Sequence, residues 1–411
     1  MRILVISNLY PPHYVGGYEL GCRDVVDALR RRGHEMRVLT SSYGVAGMQR
    51  DGEVYRFLAS ELSWQSRASS AKYWLNLARK EWRNRAIFKR MVAEWRPDVV
   101  YIWNMRTISL ALILLAQQLG LPLCAYISDD WLAKSDVIDR WLARSPQPLK
   151  RALKGLLELP LTLAGLGLRQ RTLDLHTVQF TSQHLKQAAL QVGKPVQSAE
   201  VIHWGVDINR FPNGERAQRS VWRLLYVGQV LPLKGVHTAV EACRLLYQRD
   251  GMRNFELTIV GGTSVPAYAA QLTAAIAEAG MEAVIHMTGP LPREQLPNIY
   301  QAHDLLIFPS IWDEPFSITL LEAMSSGLAI VGTNTGGSAE ILRDGENALI
   351  FPKGDAPACA HRIQELLNDR ELFERIRAQG RATIVQHFQI AQTIGQIERS
   401  LIATKRGARS L

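Results

Sequence analysis

Two glutamates, Glu314 and Glu322, are separated by seven residues in the run DEPFSITLLEAMSSGLAIVGTNTGGSAEIL. Phe316 to Ser325 reads as a helix that begins just after the first of them, with Pro315 near its start, where a missing N–H costs nothing. The backbone amides of Phe316, Ser317, Ile318 and Thr319 then stand at a helix N-terminus. Unpaired amides and the helix dipole together favour an anion there. Glu314 is positioned to accept hydrogen bonds from sugar hydroxyls, and Glu322, about two turns on, from a ribose diol. The bland alternative makes Glu314 a cap and Glu322 an exposed helix residue. The Pro-Phe between them, the strand LLIFPS before and EAMSSG after favour the ligand reading.

Two further clusters are suited to phosphate. In LLYVGQVLPLKG, Gly228 turns the chain off a strand, Gln229 follows it, and Lys234 with Gly235 opens the next helix. A lysine at this point can neutralise a diphosphate that is losing its sugar; the alternative is a solvated lysine at a helix start. In PPHYVGGYEL, Gly16 and Gly17 allow close backbone approach to a ligand after the first strand, or serve any tight turn. The spacing is not G-x-G-x-x-G, which counts against a dinucleotide-dependent dehydrogenase.

The elements that must position these residues alternate between strand and helix. RILVIS, MRVLTS, PDVVYIW and PLCAYIS read as buried strands, and Cys22, Val25, Val26 and Leu29 share one face of the helix after the first. Around residues 200–215 the run VIHWGVDINRFPNGERAQRS is polar and loop-like, as an interdomain linker would be. The alternation then restarts with WRLLYVG, FELTIVGG, AVIHMTG, DLLIFPS, LAIVGT and ALIF. Two such series predict an α/β chain of two doubly wound, Rossmann-like domains with right-handed crossovers. The expected boundaries are 1–205 and 206–387, with a C-terminal helix over 388–411 packing back on the first domain. At 411 residues the chain is long enough for two cores.

Charge and cysteine usage narrow the class. The net charge is +10, and much of the excess lies in AKYWLNLARKEWRNRAIFKRMVAEWR. There Lys72, Arg79, Lys80, Arg83, Arg85, Lys89, Arg90 and Arg96 face only Glu81 and Glu94, with Trp74, Trp82 and Trp95 interleaved. Such a helix either lies on an anionic bilayer or is a solvated face with its aromatics in the core. The leucine-rich run LKRALKGLLELPLTLAGLGLRQR, broken by Pro160, is shorter than the ~18–20 apolar residues of a membrane span. It is expected to be interfacial or to cap the first domain. Cys22, Cys124, Cys243 and Cys359 stand far apart, which excludes a Cys-x-x-Cys zinc or redox motif and suits a reducing compartment. MRILVISNLY runs straight into a strand, and a cytoplasmic protein, peripheral on the inner face of the cell membrane, is expected. No nucleic-acid-binding module is recognisable.

In this order and spacing the clusters resemble glycosyltransferase family 4, the retaining enzymes of GT-B architecture. GGYELGCRDVVDALRRRGHEMRVLTS is similar to the family's opening, and FTSQHLKQAALQVGKPVQSAEVIHWGVDINRF to its crossing between domains. VGQVLPLKG and FPSIWDEPFSITLLEAMSSGLAIVGTNTGGSAEIL are similar to its donor motifs. The resemblance implies two Rossmann-like domains with a cleft between them and a nucleoside-diphosphate sugar, UDP- or GDP-linked, as donor. It implies that Glu314 contacts the sugar and Glu322 the ribose. Lys234 and the amides near Phe316 and Ser317 would hold the diphosphate, and Gly17 would approach it from the first domain. No metal or other cofactor is implied, and the acceptor is a sugar, a glycan, a lipid-linked molecule or a small molecule, as in polysaccharide or glycolipid biosynthesis.

Two departures stand out. Gln229 occupies a position where the family commonly has arginine, which leaves more of the diphosphate charge to Lys234. ISDDWL puts Ser128 and Asp129 where many members have His-Asp. Asp129, or Asp130 beside it, then contacts sugar or acceptor, or caps the next short helix. A sugar-nucleotide epimerase of the same fold and a nucleotide-sugar-binding subunit without activity are the competing readings.

Overall fold

The computed structural model describes residues 1–60, 71–139, 141–143, 148–169, 172–214 and 220–407, apart from the side chains of 71 and 148–153. Residues 215–219 of the linker motif, 170–171 and the side chains of 149–153 in the leucine-rich run, and 408–411 at the C-terminus lie outside the described residues. The chain divides into two compact units, Met1–Ile202 with Ile394–Leu411, and His203–Thr393.

The first unit is built on an eight-stranded sheet. Its strands are β1 (Arg2–Ser7), β2 (Glu35–Ser41), β3 (Gln49–Asp51), β4 (Val54–Leu58), β5 (Val99–Ile102), β6 (Leu123–Ile127), β7 (Thr177–Phe180) and β8 (Glu200–Val201). The order is β3-β4-β2-β1-β5-β6-β7-β8, parallel throughout except for the β3–β4 hairpin. The strands read from the sequence are unbroken apolar runs because both faces of a parallel sheet are covered. Ile3, Val5, Val99 and Tyr101 are fully buried, and Val5 pairs with Val38 on one side and Tyr101 on the other. The strands that composition did not reveal are β3, β4, β7 and β8. The first is exposed, and β4 carries Arg56 in its centre, buried because its guanidinium serves the carbonyls of Tyr10 and Pro11 at 2.8 and 2.6 Å.

The second unit holds β9 (Trp222–Val227), β10 (Phe255–Val260), β11 (Ile285–Gly289), β12 (Leu305–Phe308), β13 (Ala329–Gly332) and β14 (Leu349–Ile350). The order is β11-β10-β9-β12-β13-β14, all parallel. Both units are therefore Rossmann-like. In each, the chain moves outward from one strand in both directions: β1 lies between β2 and β5, and β9 between β10 and β12. Loops leaving the C-terminal ends of the strands at such a reversal diverge and leave a crevice, the preferred ligand position of open α/β sheets.

The basic helix, Ala71–Trp95, does not present eight free cations. Arg85 is fully buried, bonded to Glu81 at 3.0 Å and Glu158 at 2.9 Å, and it also donates to the carbonyl of Leu166. Lys80, Arg83 and Lys89 donate to the carbonyls of Ser60, Phe57 and Gly165. Lys72, Arg79, Arg90 and Arg96 are exposed, with Arg90 paired to Glu94. Trp74 is buried with Leu77, Trp141, Leu161 and Leu166, whereas Trp82 is exposed. The leucine-rich run forms the helix Pro148–Leu163, with Pro160 inside it, and its Leu161 belongs to that same cluster. Among the described residues no helix is long and apolar enough to cross a membrane.

Burial pushes the Glu81 carboxyl up to about 8 against the pull of Arg85, so removing Arg85 would strip buried Glu81 and half-buried Glu158 of their cation. Arg85→Ala is expected to cost about 3–5 kcal/mol, read as a lowered urea midpoint of tryptophan fluorescence. Arg79→Ala, on the exposed face, should change stability by less than about 0.5 kcal/mol. Equal midpoints for the two variants would refute the buried pairing.

Candidate functional site

In the second unit the loops after β9 and β12 are tied together. The amides of Ile311 and Trp312 both donate to the carbonyl of Leu233 at 3.1 Å. The loop after β9 makes a short 3-10 turn, Pro232–Lys234, and Gly235 follows with φ of 67°. A Cβ on Gly235 would fall 1.9 Å from the carbonyl oxygen of Pro309, so only glycine lets the two loops approach this closely.

That approach sets Lys234 against Glu314. The Lys234 Nζ lies 2.7 and 2.8 Å from the two carboxylate oxygens, and 4.6 Å from the centre of the Trp312 ring. Glu314 is buried, and its Oε1 also accepts from the Ser310 hydroxyl at 2.7 Å. Its main chain is clamped from a third loop, after β13. The amide of Gly337 donates to the Glu314 carbonyl at 2.6 Å, and Gly336 has φ of 56° where a Cβ would lie 2.5 Å from that oxygen. Glu314 is therefore no helix cap.

The helix expected over Phe316–Ser325 spans Ile318–Ser325. It starts two residues late because Ser317 is extended and caps it, its Oγ accepting from the Leu320 amide at 3.3 Å. Phe316 lies before the cap, stacked on His203 at 5.3 Å and against Phe388 at 5.9 Å. The amides with no intrahelical acceptor and no cap are thus those of Ile318 and Thr319. Glu322 is buried rather than exposed and accepts from the Tyr300 hydroxyl at 2.9 Å. Burial, with the Glu322 carboxylate beside it, holds the Tyr300 hydroxyl well above its ordinary pKa. Gln229 is exposed, and its carbonyl accepts from the Tyr226 hydroxyl at 2.8 Å.

The first unit gathers the other candidates at the ends of β1, β5 and β6. Gly16 is the N-cap of the helix Gly17–Arg31, and its amide donates to the Glu19 Oε2 at 3.0 Å. Asn104, after β5, donates to the other oxygen of Glu19, whose carboxyl burial raises. Arg56 holds the segment before these glycines through Tyr10 and Pro11. Asp129, after β6, accepts from the Trp131 amide at 2.9 Å and from Arg106 Nε at 3.1 Å. The first bond closes a local turn and caps no helix, since the next helix is Ser135–Ile138. Burial raises the Asp129 carboxyl against the pull of Arg106. Asp130 pairs with Arg106 and with Lys134 at 2.5 Å; burial would raise it, but these partners outweigh burial and hold it low.

Lys234, Gln229, Glu314, Phe316, Ser317, Ile318, Thr319 and Glu322 thus fall in one unit, and Gly16, Gly17 and Asp129 in the other. Sequence reasoning missed Ser310, Trp312 and Tyr300, and Glu19, Asn104 and Arg106. The signal for Ser310 and Arg106 was position, directly after an apolar strand of a parallel sheet; Tyr300 carried no signal. Among the described residues no group of three His, Cys, Asp or Glu side chains is placed to hold a metal ion.

The family model for group 1 glycosyl transferases matches residues 207–383, and that for a glycosyl transferase 4-like domain matches 16–157. The amylovoran biosynthesis glycosyltransferase AmsK of Erwinia amylovora is 30% identical over 177 residues, 42% of this chain and 42% of that protein. The chain spans about half the length of the first curated relatives it matches. Among solved structures, sucrose-phosphate synthase from Thermosynechococcus elongatus superposes with a TM-score of 0.71 at 19% identity, covering 98% of this chain and 99% of that one. Anabaena HepE, solved in complex with UDP, gives a TM-score of 0.70 at 18% identity over 98% and 100%. The same protein has been solved with UDP-glucose. At these identities the structural likeness is one of fold, and the fold is GT-B.

Glu322 is not an exposed helix residue, the alternative the sequence had left open. Glu322→Ala removes a buried carboxylate and its bond to the Tyr300 hydroxyl, which keeps a hydrogen bond with the Thr319 side chain, and is expected to cost about 1 kcal/mol, whereas Glu322→Gln keeps an acceptor oxygen and most of the stability. Thermal melting of the two variants checks this, and equal melting temperatures would overturn it.

Proposed function

The chain belongs to the GT-B glycosyltransferases of the family 4 type, and on that premise we propose that it moves a sugar from a nucleoside-diphosphate sugar to an acceptor hydroxyl, with retention and without a metal. The observation that carries the reading is the Lys234–Glu314 pair beside the free amides of Ile318 and Thr319 at the β9/β12 reversal. A cation, two helix-terminal amides and a carboxylate in one place suit a diphosphate joined to a hydroxyl-rich ring. The complexes of HepE with UDP and UDP-glucose support a uridine nucleotide as donor.

The chemistry follows from what these groups hold. The Lys234 ammonium donates to both carboxylate oxygens of Glu314. A diphosphate competes for that ammonium, and sugar hydroxyls donate to the carboxylate in its stead. Glu314 then fixes the ring, Glu322 receives the ribose diol, and the amides of Ile318 and Thr319 meet the phosphate oxygens. In the first unit Gly17 opens a helix and Arg106 fixes Asp129. The bond from the anomeric carbon to the phosphate oxygen breaks as the acceptor oxygen bonds to that carbon on the same face. The acceptor proton passes to the departing phosphate, which Lys234 stabilises as its charge grows. Gln229, in place of arginine, adds a donor but no charge.

Lys234→Ala is expected to lower kcat/KM for transfer by about 10²–10³-fold, the scale of a lost oxyanion donor. Glu314→Gln should lower kcat while UDP still binds. The wild-type rate should be unaffected by EDTA. Near-normal turnover in Lys234→Ala, or activity abolished by EDTA and restored by manganese or magnesium, would sink the metal-independent mechanism.

The reading extends to location: a peripheral protein on the anionic inner face of the cell membrane, held through the first unit. The support has shifted from charge to apolar surface. Leu156, Leu159 and Leu163, spaced along one helix, are 70%, 56% and 81% exposed, and Leu75 and Trp82 are also uncovered, with Lys72 and Arg79 exposed on the same helix as that pair. Each basic residue at an anionic surface adds about 1 kcal/mol. The chain should co-sediment with phosphatidylglycerol vesicles at low salt, and Leu159→Glu with Leu163→Glu should release it more fully than Arg79→Glu. A wild-type chain left in the supernatant refutes the membrane claim alone.

A further inference from the structure

Beside the Lys234–Glu314 pair stands an aromatic ring that the fold leaves uncovered. Trp312 is 42% exposed, although its main chain is held on two sides. Its amide donates to the Leu233 carbonyl at 3.1 Å, and the Ser310 hydroxyl, which also serves Glu314, lies 3.3 Å from its carbonyl. Ser310 is fixed in turn by the Thr333 hydroxyl, which donates to its carbonyl at 2.6 Å. The loop thus sets where the indole stands without burying it. Packed inside, an indole contributes more to stability than it does in water.

What the ring meets instead is a cation. The Lys234 Nζ lies over it, 4.6 Å from its centre, well within the reach of a cation–π contact. Lysine is a point charge on a flexible four-carbon stem, so fixing its head costs rotamer freedom. Two contacts fix this head, and they differ in kind. The Glu314 carboxylate takes N–H groups, and phosphate oxygens compete with it for them. The indole attracts the charge through its quadrupole and takes no N–H group. The ammonium can therefore turn its N–H groups from Glu314 to a phosphate and stay over the ring.

We propose that Trp312 is a positioning residue for Lys234: its indole face holds the ammonium in place while the N–H groups pass from Glu314 to the diphosphate. The ring acts through the lysine and touches no reacting atom. A contact made before the ligand arrives lowers the ordering cost of binding it. The proposal rests on the transferase reading of this site, but it concerns the nucleotide alone and is measured without turnover.

The test is calorimetric titration of the full chain with UDP, in a double-mutant cycle of Trp312→Leu and Lys234→Met. UDP carries no sugar, so stacking of a sugar on the indole contributes nothing. Trp312→Leu is expected to weaken UDP binding about three- to tenfold where Lys234 is present, and less than about twofold in the Lys234→Met background. Trp312→Phe, which keeps an aromatic face, should fall between the wild type and Trp312→Leu. The proposal alone is overturned if Lys234→Met weakens UDP binding but Trp312→Leu does not. It is equally overturned if Trp312→Leu costs the same with and without the lysine, or if phenylalanine does no better than leucine. UDP binding that Lys234→Met leaves unchanged would remove the proposal and the diphosphate assignment together. The expected coupling in a chain that transfers no sugar would sink the transferase reading and leave the role of Trp312 in place.

Discussion

The ion pair between Lys234 and Glu314 joins two loops that leave neighbouring strands on opposite sides of a topological reversal. Glu314 is buried, and a buried carboxylate without a cation is costly, so it requires the half-buried Lys234 beside it. The surrounding backbone serves this closeness. Gly235 admits the Pro309 carbonyl, Leu233 ties the two loops by a shared acceptor, and Gly337 clamps the carbonyl of Glu314 from a third loop. Three loops of one sheet thus converge on a single ion pair.

The first unit uses its charge differently. Its long basic helix places Arg85 in the interior, where two carboxyl groups and a carbonyl surround it, and three more cations hold carbonyls of β4 and of two neighbouring loops. These bonds secure the loop after β4 and the end of the leucine-rich helix. The same helix lines a cavity of about 300 Å³ with Lys80, Glu81 and Asn84, while Trp82 and Leu75 on it are exposed. Arg106 links that pocket to Asp129, as Glu19 and Asn104 link the ends of β1 and β5. The polar groups of this unit are thus joined along the strand ends rather than scattered over a solvated face.

The sequence by itself determined the two-sheet α/β architecture, because parallel strands covered on both faces must be apolar throughout, and runs such as ILVI and LLIF have no other use. It also placed Lys234 and Glu314 in loops that directly follow apolar strands, where the folded sheet brings them together. It did not determine which charges meet. Lys234 and Glu314 are eighty positions apart, and no periodicity connects them; Tyr300 reaches Glu322 only because the helix before β12 packs beside the helix after it. Nor did it determine where the helix after Glu314 begins, because Ser317 competes with Pro315 for the start and wins by capping the Leu320 amide. Counting cations along 72–96 overstated the free charge, since burial of Arg85 depends on Glu158 from a distant helix. Local pattern is set by neighbours in the chain, whereas pairing and burial are set by neighbours in space, and only the folded sheets bring those together.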